Sequence, residues 1–323
     1  MSKETERAAL HKAIWRVAND LRGSVDGWDF KAYVLGFLFY RFISENLTGY
    51  IDRAEHAAGD PDFGYRYLPC EDAEYVRAGI VEEKGFFILP EDLFDNVRER
   101  AARDENLNET LERIFKNIEA PAMGSGSESD LRGLFDDVDV NSKKLGNTVA
   151  QRNAKLVKLL NAIGDLNLDY EDTTIDTFAD AYEFLMTMYA SSAGKSGGQF
   201  FTPQEVSEVL AKIAASGRER LNRVYDPACG SGSLLLKFAS VVGKDNAGTF
   251  YGQEVNLTTY NLCRIDMFLH DVNFEHFDIA HGGTLLEPAH WDEEPFDAIV
   301  SKRWLSLLIR DNGLFPINGV VAA

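Results

Sequence analysis

Apolar positions follow two periodicities along the chain. Leu10, Ile14, Val17 and Leu21 recur at the i, i+4, i+7, i+11 spacing of one helix face. From Phe30 to Leu47 the chain is apolar nearly all round, through Tyr33, Val34, Leu35, Phe37, Leu38, Phe39, Tyr40, Phe42 and Ile43. A segment without a polar face predicts the central helix of a bundle, and this one is too short and too flanked by charge to cross a bilayer. Arg41 inside it is expected to be an internal ion-pair partner. Residues 51–70 read as loop, 71–83 as helix and 85–90 as extended chain. Helices are expected again over 91–103, 107–119 and 145–160, with breaks at Gly23–Gly27 and Pro121–Ser129.

The pattern changes after a polar stretch at Gly164–Asp172. Asp176–Tyr189 predicts an amphipathic helix, with Phe178, Ala181, Tyr182, Leu185 and Met188 on one face. Beyond it helices and strands alternate: helix 203–215, strand 222–226, helix 232–242, strand 249–253, helix 257–270, strands 277–281 and 296–300. Such alternation predicts an open parallel sheet with right-handed crossovers. The fold class is therefore α/β. A helical amino-terminal domain (1–165) precedes a Rossmann-like sheet domain (166–323), the latter expected to be incomplete at its carboxy end.

Candidate chemistry gathers where strands end. Val224-Tyr225-Asp226-Pro227-Ala228-Cys229-Gly230-Ser231-Gly232-Ser233-Leu234-Leu235-Leu236 reads as strand, tight turn and helix start. Gly230 and Gly232 let the backbone turn sharply and approach a ligand, and the helix behind them aims its first N–H groups at the turn. Asp226, at the strand's carboxyl end, can accept hydrogen bonds from an ammonium group. A dinucleotide turn wants glycine where Leu235 stands, and a phosphate loop wants glycine where Tyr189 precedes Gly194-Lys195-Ser196. The remaining ligand class is S-adenosylmethionine, and D-P-A-C-G-S-G at 226–232 closely resembles the cofactor-binding motif of amino-methylating DNA methyltransferases. Glu254 closes the next strand, where a carboxylate can accept both hydroxyls of a ribose. Upstream, Gln199-Phe200-Phe201-Thr202-Pro203-Gln204-Glu205 follows a Gly-rich loop. Thr202 is a good N-cap, Pro203 suits the first helical position and Glu205 completes a capping box, while the two phenylalanines offer an aromatic face to adenine. Local physics favours a helix start over a site there.

Composition narrows the function classes. The 323 residues, 45% of them hydrophobic and 26% charged, suit a soluble chain of about two domains. Three scattered cysteines give neither a disulfide framework nor a metal-ligand spacing, which fits a reducing cytoplasm. No signal peptide or membrane span is evident. A net charge of −19 argues against a free-standing DNA binder and for a partner that supplies DNA affinity. Two basic clusters, Arg98/Arg100/Arg103 and Lys143/Lys144/Arg152/Lys155/Lys158, read as solvated helix faces.

Four stretches together carry a resemblance: A-G-K-S-G-G-Q-F-F-T-P-Q-E-V-S, D-P-A-C-G-S-G-S-L-L-L, G-Q-E-V-N and F-D-A-I-V-S. In content and order they resemble the modification subunit of type I restriction–modification systems, a family that methylates the N6 amino group of adenine in DNA. The resemblance runs to about Ser301 and takes in G-L-F-D-D-V-D-V-N-S-K-K-L-G-N at 133–147. It implies S-adenosylmethionine as cofactor. Gln199, Phe200, Phe201, Thr202, Pro203 and Gln204 would be its closing segment, Asp226 with Gly230, Ser231, Gly232 and Ser233 its methionine-side contacts, and Glu254 its ribose contact. It implies a specificity subunit that reads DNA and a motor–nuclease subunit as partners, with the amino-terminal helices helping to hold DNA and partners. No metal is implied.

Two departures qualify that expectation. The family carries an acid where this chain has Gly283, in His281-Gly282-Gly283-Thr284-Leu285. Its catalytic Asn-Pro-Pro-aromatic should follow Ser301, where the chain reads Lys302-Arg303-Trp304-Leu305-Ser306, so no catalytic residue is assigned. Three readings stay open: a methyltransferase subunit whose full form carries the segment, a non-catalytic binding or scaffold remnant, and a nucleotide-dependent oxidoreductase.

Overall fold

The computed structural model describes residues 3–21, 29–120, 128–168, 177–192, 204–243, 246–291, 295–301 and 317–322. It divides into two compact units, Met1–Leu185 and Met186–Ala323.

Unit one is helical: α1 (Lys3–Leu21), α2 (Asp29–Ala58), α3 (Cys70–Glu74), α4 (Arg77–Lys84), α5 (Phe94–Ala101), α6 (Leu107–Glu119), α7 (Glu128–Leu131), α8 (Val149–Gly164) and the start of α9 (Thr177–Ser192). The centre is α2, whose Val34, Phe37, Leu38, Phe39, Tyr40, Ile43 and Leu47 are all buried. Phe37 and Tyr40 meet Phe115 edge-on at 5.7 and 5.6 Å, and Phe39 lies 5.7 Å from Phe135. Arg41 pairs with Glu45 at 2.5 Å and donates from Nη1 to the Ile163 and Leu166 carbonyls at 2.8 Å each. It thereby braces the carboxyl end of α8, where the Ile163 carbonyl also accepts the Leu166 N–H at 3.3 Å. No described helix is long and apolar enough to cross a membrane.

Several boundaries differ from the sequence expectation. The central helix runs on to Ala58, through residues expected as loop, because Ile51–Ala58 contains no breaker and Gly59 is the first residue at positive φ (+110°). The expected helix 71–83 is two helices. At their joint the Tyr75 and Val76 amides donate to the Asp72 and Ala73 carbonyls, the tighter i→i+3 pattern. Residues 85–89 pair with no described strand. Phe86, Phe87 and Ile88 are buried there, and Tyr65 donates to the Ile88 carbonyl at 2.8 Å. The break at 23–27 lies outside the described residues, as do 121–127 of the break expected at Pro121–Ser129, whose last two residues, Glu128 and Ser129, instead begin α7.

Unit two holds a five-stranded parallel sheet in the order β3-β2-β1-β4-β5, from β1 (Leu221–Asp226), β2 (Ala247–Glu254), β3 (Phe277–His281), β4 (Phe296–Val300) and β5 (Ile317–Ala322). The fifth strand was not expected. Helix α10 (Gln204–Ala214) packs on α11 (Ser233–Val242), which joins β1 to β2, while α12 (Leu257–Leu269) joins β2 to β3. Tyr225 stacks on Phe296 at 4.9 Å inside the sheet's core. The chain builds outward from β1 to β2 and β3, then returns to lay β4 on the other side of β1. The direction of winding reverses between β1 and β4, and open α/β sheets bind ligands beyond the carboxyl ends of strands at such a reversal.

Candidate cofactor site

Asp226, at the carboxyl end of β1, is 2% exposed, and its Oδ1 accepts the Ala228 N–H at 3.0 Å. Burial raises its carboxyl pKa to about 7, the Ala228 N–H opposes that shift, and the negative charge of Glu254 adds to it. A carboxyl held in this way gains most from a cation placed against it.

The turn behind Asp226 is built by close approach. Gly230 and Gly232 take φ of +57° and +82°. A Cβ at Gly232 would lie 2.7 Å from Cys263 Sγ, so the turn sits directly on α12. The Cys229 N–H donates to the Gln253 carbonyl at 3.1 Å, tying the turn to β2. Cys229 and Cys263 are both buried, and the hydrogen bond between them together with burial holds the Cys229 thiol well above its ordinary pKa. Cys229 is thus a packed neutral thiol rather than a nucleophile. Ser231 and Ser233 are buried beside the glycines. Helix α11 begins after Gly232 with no side chain capping it, which leaves its first amides to a ligand.

Glu254, at the end of β2, is already engaged. Its Oε2 accepts the Gly230 N–H at 3.1 Å and its Oε1 accepts the Asn256 N–H at 2.8 Å. An ionised carboxylate has about four acceptor positions, so one remains on each oxygen for a pair of hydroxyls. The structure therefore brings Asp226, Gly230, Ser231, Gly232, Ser233 and Glu254 together around one turn. Gln199, Phe200, Phe201, Thr202 and Pro203 lie outside the described residues, as does the Gln204 side chain at the start of α10. Residues 302–316, where the catalytic tetrapeptide was expected, lie outside them too.

Two residues to which the sequence pattern gives no role shape this site. Gln253 is 1% exposed; its Nε2 donates to the Glu287 carbonyl at 2.8 Å and its Oε1 accepts the Ala289 N–H at 3.1 Å. Thr284 donates to the Pro227 carbonyl at 2.5 Å. Together they fasten the loop after β3 to β2 and to the turn. A polar Gln at a buried strand end, between Gly252 and Glu254, was the available signal. Among the described residues no cluster of His, Cys, Asp or Glu could hold a metal.

The HsdM N-terminal domain family matches residues 10–163 and the N-6 DNA methylase family residues 173–306. The chain is 46% identical over 319 residues to the type I restriction enzyme MpnII methylase subunit of Mycoplasma pneumoniae, covering 93% of this chain and 58% of that one. It is 31% identical to the MjaVII methylase subunit of Methanocaldococcus jannaschii, over 94% of this chain and 48% of that one. The chain thus spans about half the length of these relatives. The crystal structure of the type I restriction-modification system methyltransferase subunit from Streptococcus thermophilus superposes with a TM-score of 0.77 at 29% identity, over 91% of this chain and 63% of that one.

Proposed function

We propose, for a chain that belongs to the family of type I restriction-enzyme methylase subunits, that it forms the cofactor-holding part of a DNA adenine N6-methyltransferase. S-adenosylmethionine is the cofactor that this family and fold imply, and when bound it supplies an electrophilic methyl group. The carrying observation is the buried Asp226 carboxyl beside an uncapped helix start and a Glu254 carboxylate held by the Gly230 amide. In this reading Asp226 receives the ammonium group, the first amides of α11 receive the carboxylate, and Glu254 receives the ribose hydroxyls. The Gln199–Gln204 segment closes over them. A specificity subunit chooses the DNA site and a motor–nuclease subunit joins the assembly. The first 165 or so residues serve DNA and partner contacts.

A second reading rests on the sequence after Ser301. A flipped adenine needs its amino group drawn towards tetrahedral geometry by an amide and a carbonyl, with an aromatic ring stacked on the base. Lys302-Arg303-Trp304-Leu305-Ser306 supplies no Asn-Pro-Pro-aromatic run. Losing preorganised groups of this kind costs on the order of a thousandfold in rate. The 323-residue chain is then a cofactor-binding scaffold that does not transfer methyl. Tritiated-methyl transfer to DNA, with the specificity subunit present, tests this against a version carrying Asn-Pro-Pro-Tyr after Ser301. Incorporation only by the restored version supports the assignment. Robust incorporation by the unrestored chain would place catalysis elsewhere.

A further inference from the structure

The strand order β3-β2-β1 fixes the order in which a cofactor can lie across the sheet. With its amino-acid end at the turn after β1 and its ribose on Glu254 at the end of β2, the nucleobase comes over the end of β3. A purine joins its ribose through the five-membered ring. Its far edge, which carries the 6-amino group, therefore reaches one strand spacing further, about 5 Å, to the loop after β3. That loop is drawn against the end of β2. Glu254 pairs with His281 in the sheet, the Gly282 N–H donates to the Glu254 carbonyl at 3.0 Å, and His281 Nε2 donates to the Val255 carbonyl at 3.1 Å.

The rim formed there is apolar. Val255, Leu285 and Leu286 are 70%, 72% and 90% exposed, and no other large apolar side chain among the described residues is as exposed as Leu286. Apolar side chains left in water beside a polar site mark a surface that a ligand covers. Acceptors on the rim are already used. The Gly283 carbonyl takes both the Leu286 and the Glu287 N–H, at 3.0 and 2.9 Å, which fills its two lone pairs. Glu287 is the one acid between His281 and Ala289, and its backbone is fastened at both ends, to Gly283 and to Gln253. The Thr284 hydroxyl is given to the Pro227 carbonyl. At Gly283 itself a Cβ would meet no described atom within 4 Å, and the residue is not in the left-handed region, so the space is open and a side chain can stand in it.

We propose that the 6-position of the cofactor's purine goes unread in this chain: Val255, Leu285 and Leu286 hold the base by apolar contact, and the opening at Gly283 admits substituents on the 6-amino group. Gly283 is then the residue that sets cofactor selectivity. A site that hydrogen-bonds a polar group strongly rejects the analogue lacking it, whereas an apolar one discriminates little. The chain should accordingly accept S-adenosylmethionine altered at position 6 about as well as the parent. The proposal rests on the reading of Asp226 and Glu254 as the cofactor's contacts and adds the selectivity at its other end.

Calorimetric titration of the full chain tests it with three probes: S-adenosylmethionine, its N6-benzyl derivative and the 6-oxo analogue S-inosylmethionine. The expected wild-type affinities lie within about fivefold of one another, the size of one ordinary hydrogen bond. Gly283→Asp, which sets a carboxylate acceptor in the opening, should favour the parent over both analogues by about tenfold or more, as a charged hydrogen bond would. Loss of more than about fivefold for either analogue in the wild type, with the parent bound, would overturn this inference and leave the cofactor site standing. The same ratios in Gly283→Asp as in the wild type would place the base elsewhere and overturn it too. Should that variant not fold, as seen by circular dichroism, the wild-type ratios decide alone. No binding of the parent by the wild type would remove the cofactor reading and this inference together.

Discussion

The Glu254 carboxylate accepts the Gly230 N–H at 3.1 Å, which joins the end of β2 to the turn after β1. The acid proposed for the ribose is therefore oriented before any ligand arrives, and the turn is braced by the residue it works with. Hydrogen bonds to a charged group contribute about 1.5–3 kcal/mol. Glu254→Ala should weaken S-adenosylmethionine binding about ten- to a hundredfold by fluorescence titration, with Glu254→Gln falling between it and the wild type. Undiminished affinity in Glu254→Ala would remove the residue from the site.

The turn has no room for a side chain. Gly232→Ala places a methyl 2.7 Å from Cys263 Sγ at a φ of +82°. Strain of this kind costs about 1–3 kcal/mol before any repacking of α12. Urea unfolding should show a lowered midpoint. Gly283→Ala meets no atom within 4 Å and should leave the midpoint where it is.

Asp226 makes binding and stability depend on pH in opposite senses. Its carboxyl is raised from 3.8 to about 7, so between those values the folded state holds more protons than the unfolded state. Stability conferred by the neutral carboxyl is accordingly lost as pH rises from about 4 towards 7, and Asp226→Asn should flatten that fall. A ligand ammonium group needs Asp226 ionised and itself protonated, and α-amino groups titrate near 7.7–8.0. Affinity should therefore rise up to about pH 7 and decline above about 8, and the rising limb should vanish in Asp226→Asn. An affinity independent of pH from 5 to 7, a range set by the folded pKa of about 7, would detach Asp226 from the ligand.

Gln253 positions the loop after β3 rather than touching a ligand. Gln253→Glu sets a carboxylate oxygen against the Glu287 carbonyl in place of an amide donor. Loosening of Gly282–Ala289 should follow, seen as faster hydrogen exchange in that loop, together with a severalfold weaker S-adenosylmethionine affinity. Unchanged exchange in the loop would assign Gln253 to stability alone.

Legibility in the sequence followed how local each determinant was. The strand at Leu221–Asp226, its glycine turn and the helix at Ser233 are encoded by neighbouring residues, and the expected strands at 277–281 and 296–300 match the observed ones. The sheet order and the fifth strand were not legible, because pairing along β4 links Phe296 with Ile317 and Val300 with Ala322 across a long intervening segment. Candidate residues could be named one by one, but not the hydrogen bond that takes Glu254 to Gly230, 24 positions away in the chain. The roles of Gln253 and Thr284 were hidden for the same reason, since both act on backbone far away in sequence. The extent of α2 was misjudged because Ile51–Ala58 looks polar, although polarity without a breaker continues a helix readily.

The central claim is that the Asp226–Ser233 turn and Glu254 hold S-adenosylmethionine, and calorimetric titration of the full chain, wild type beside Asp226→Ala, tests it most directly. The predicted result is one cofactor bound per wild-type chain, with affinity at least about tenfold lower in the variant, as expected for removal of a buried charged hydrogen bond. No heat of binding in the wild type, or equal affinity in the two proteins, would contradict the account.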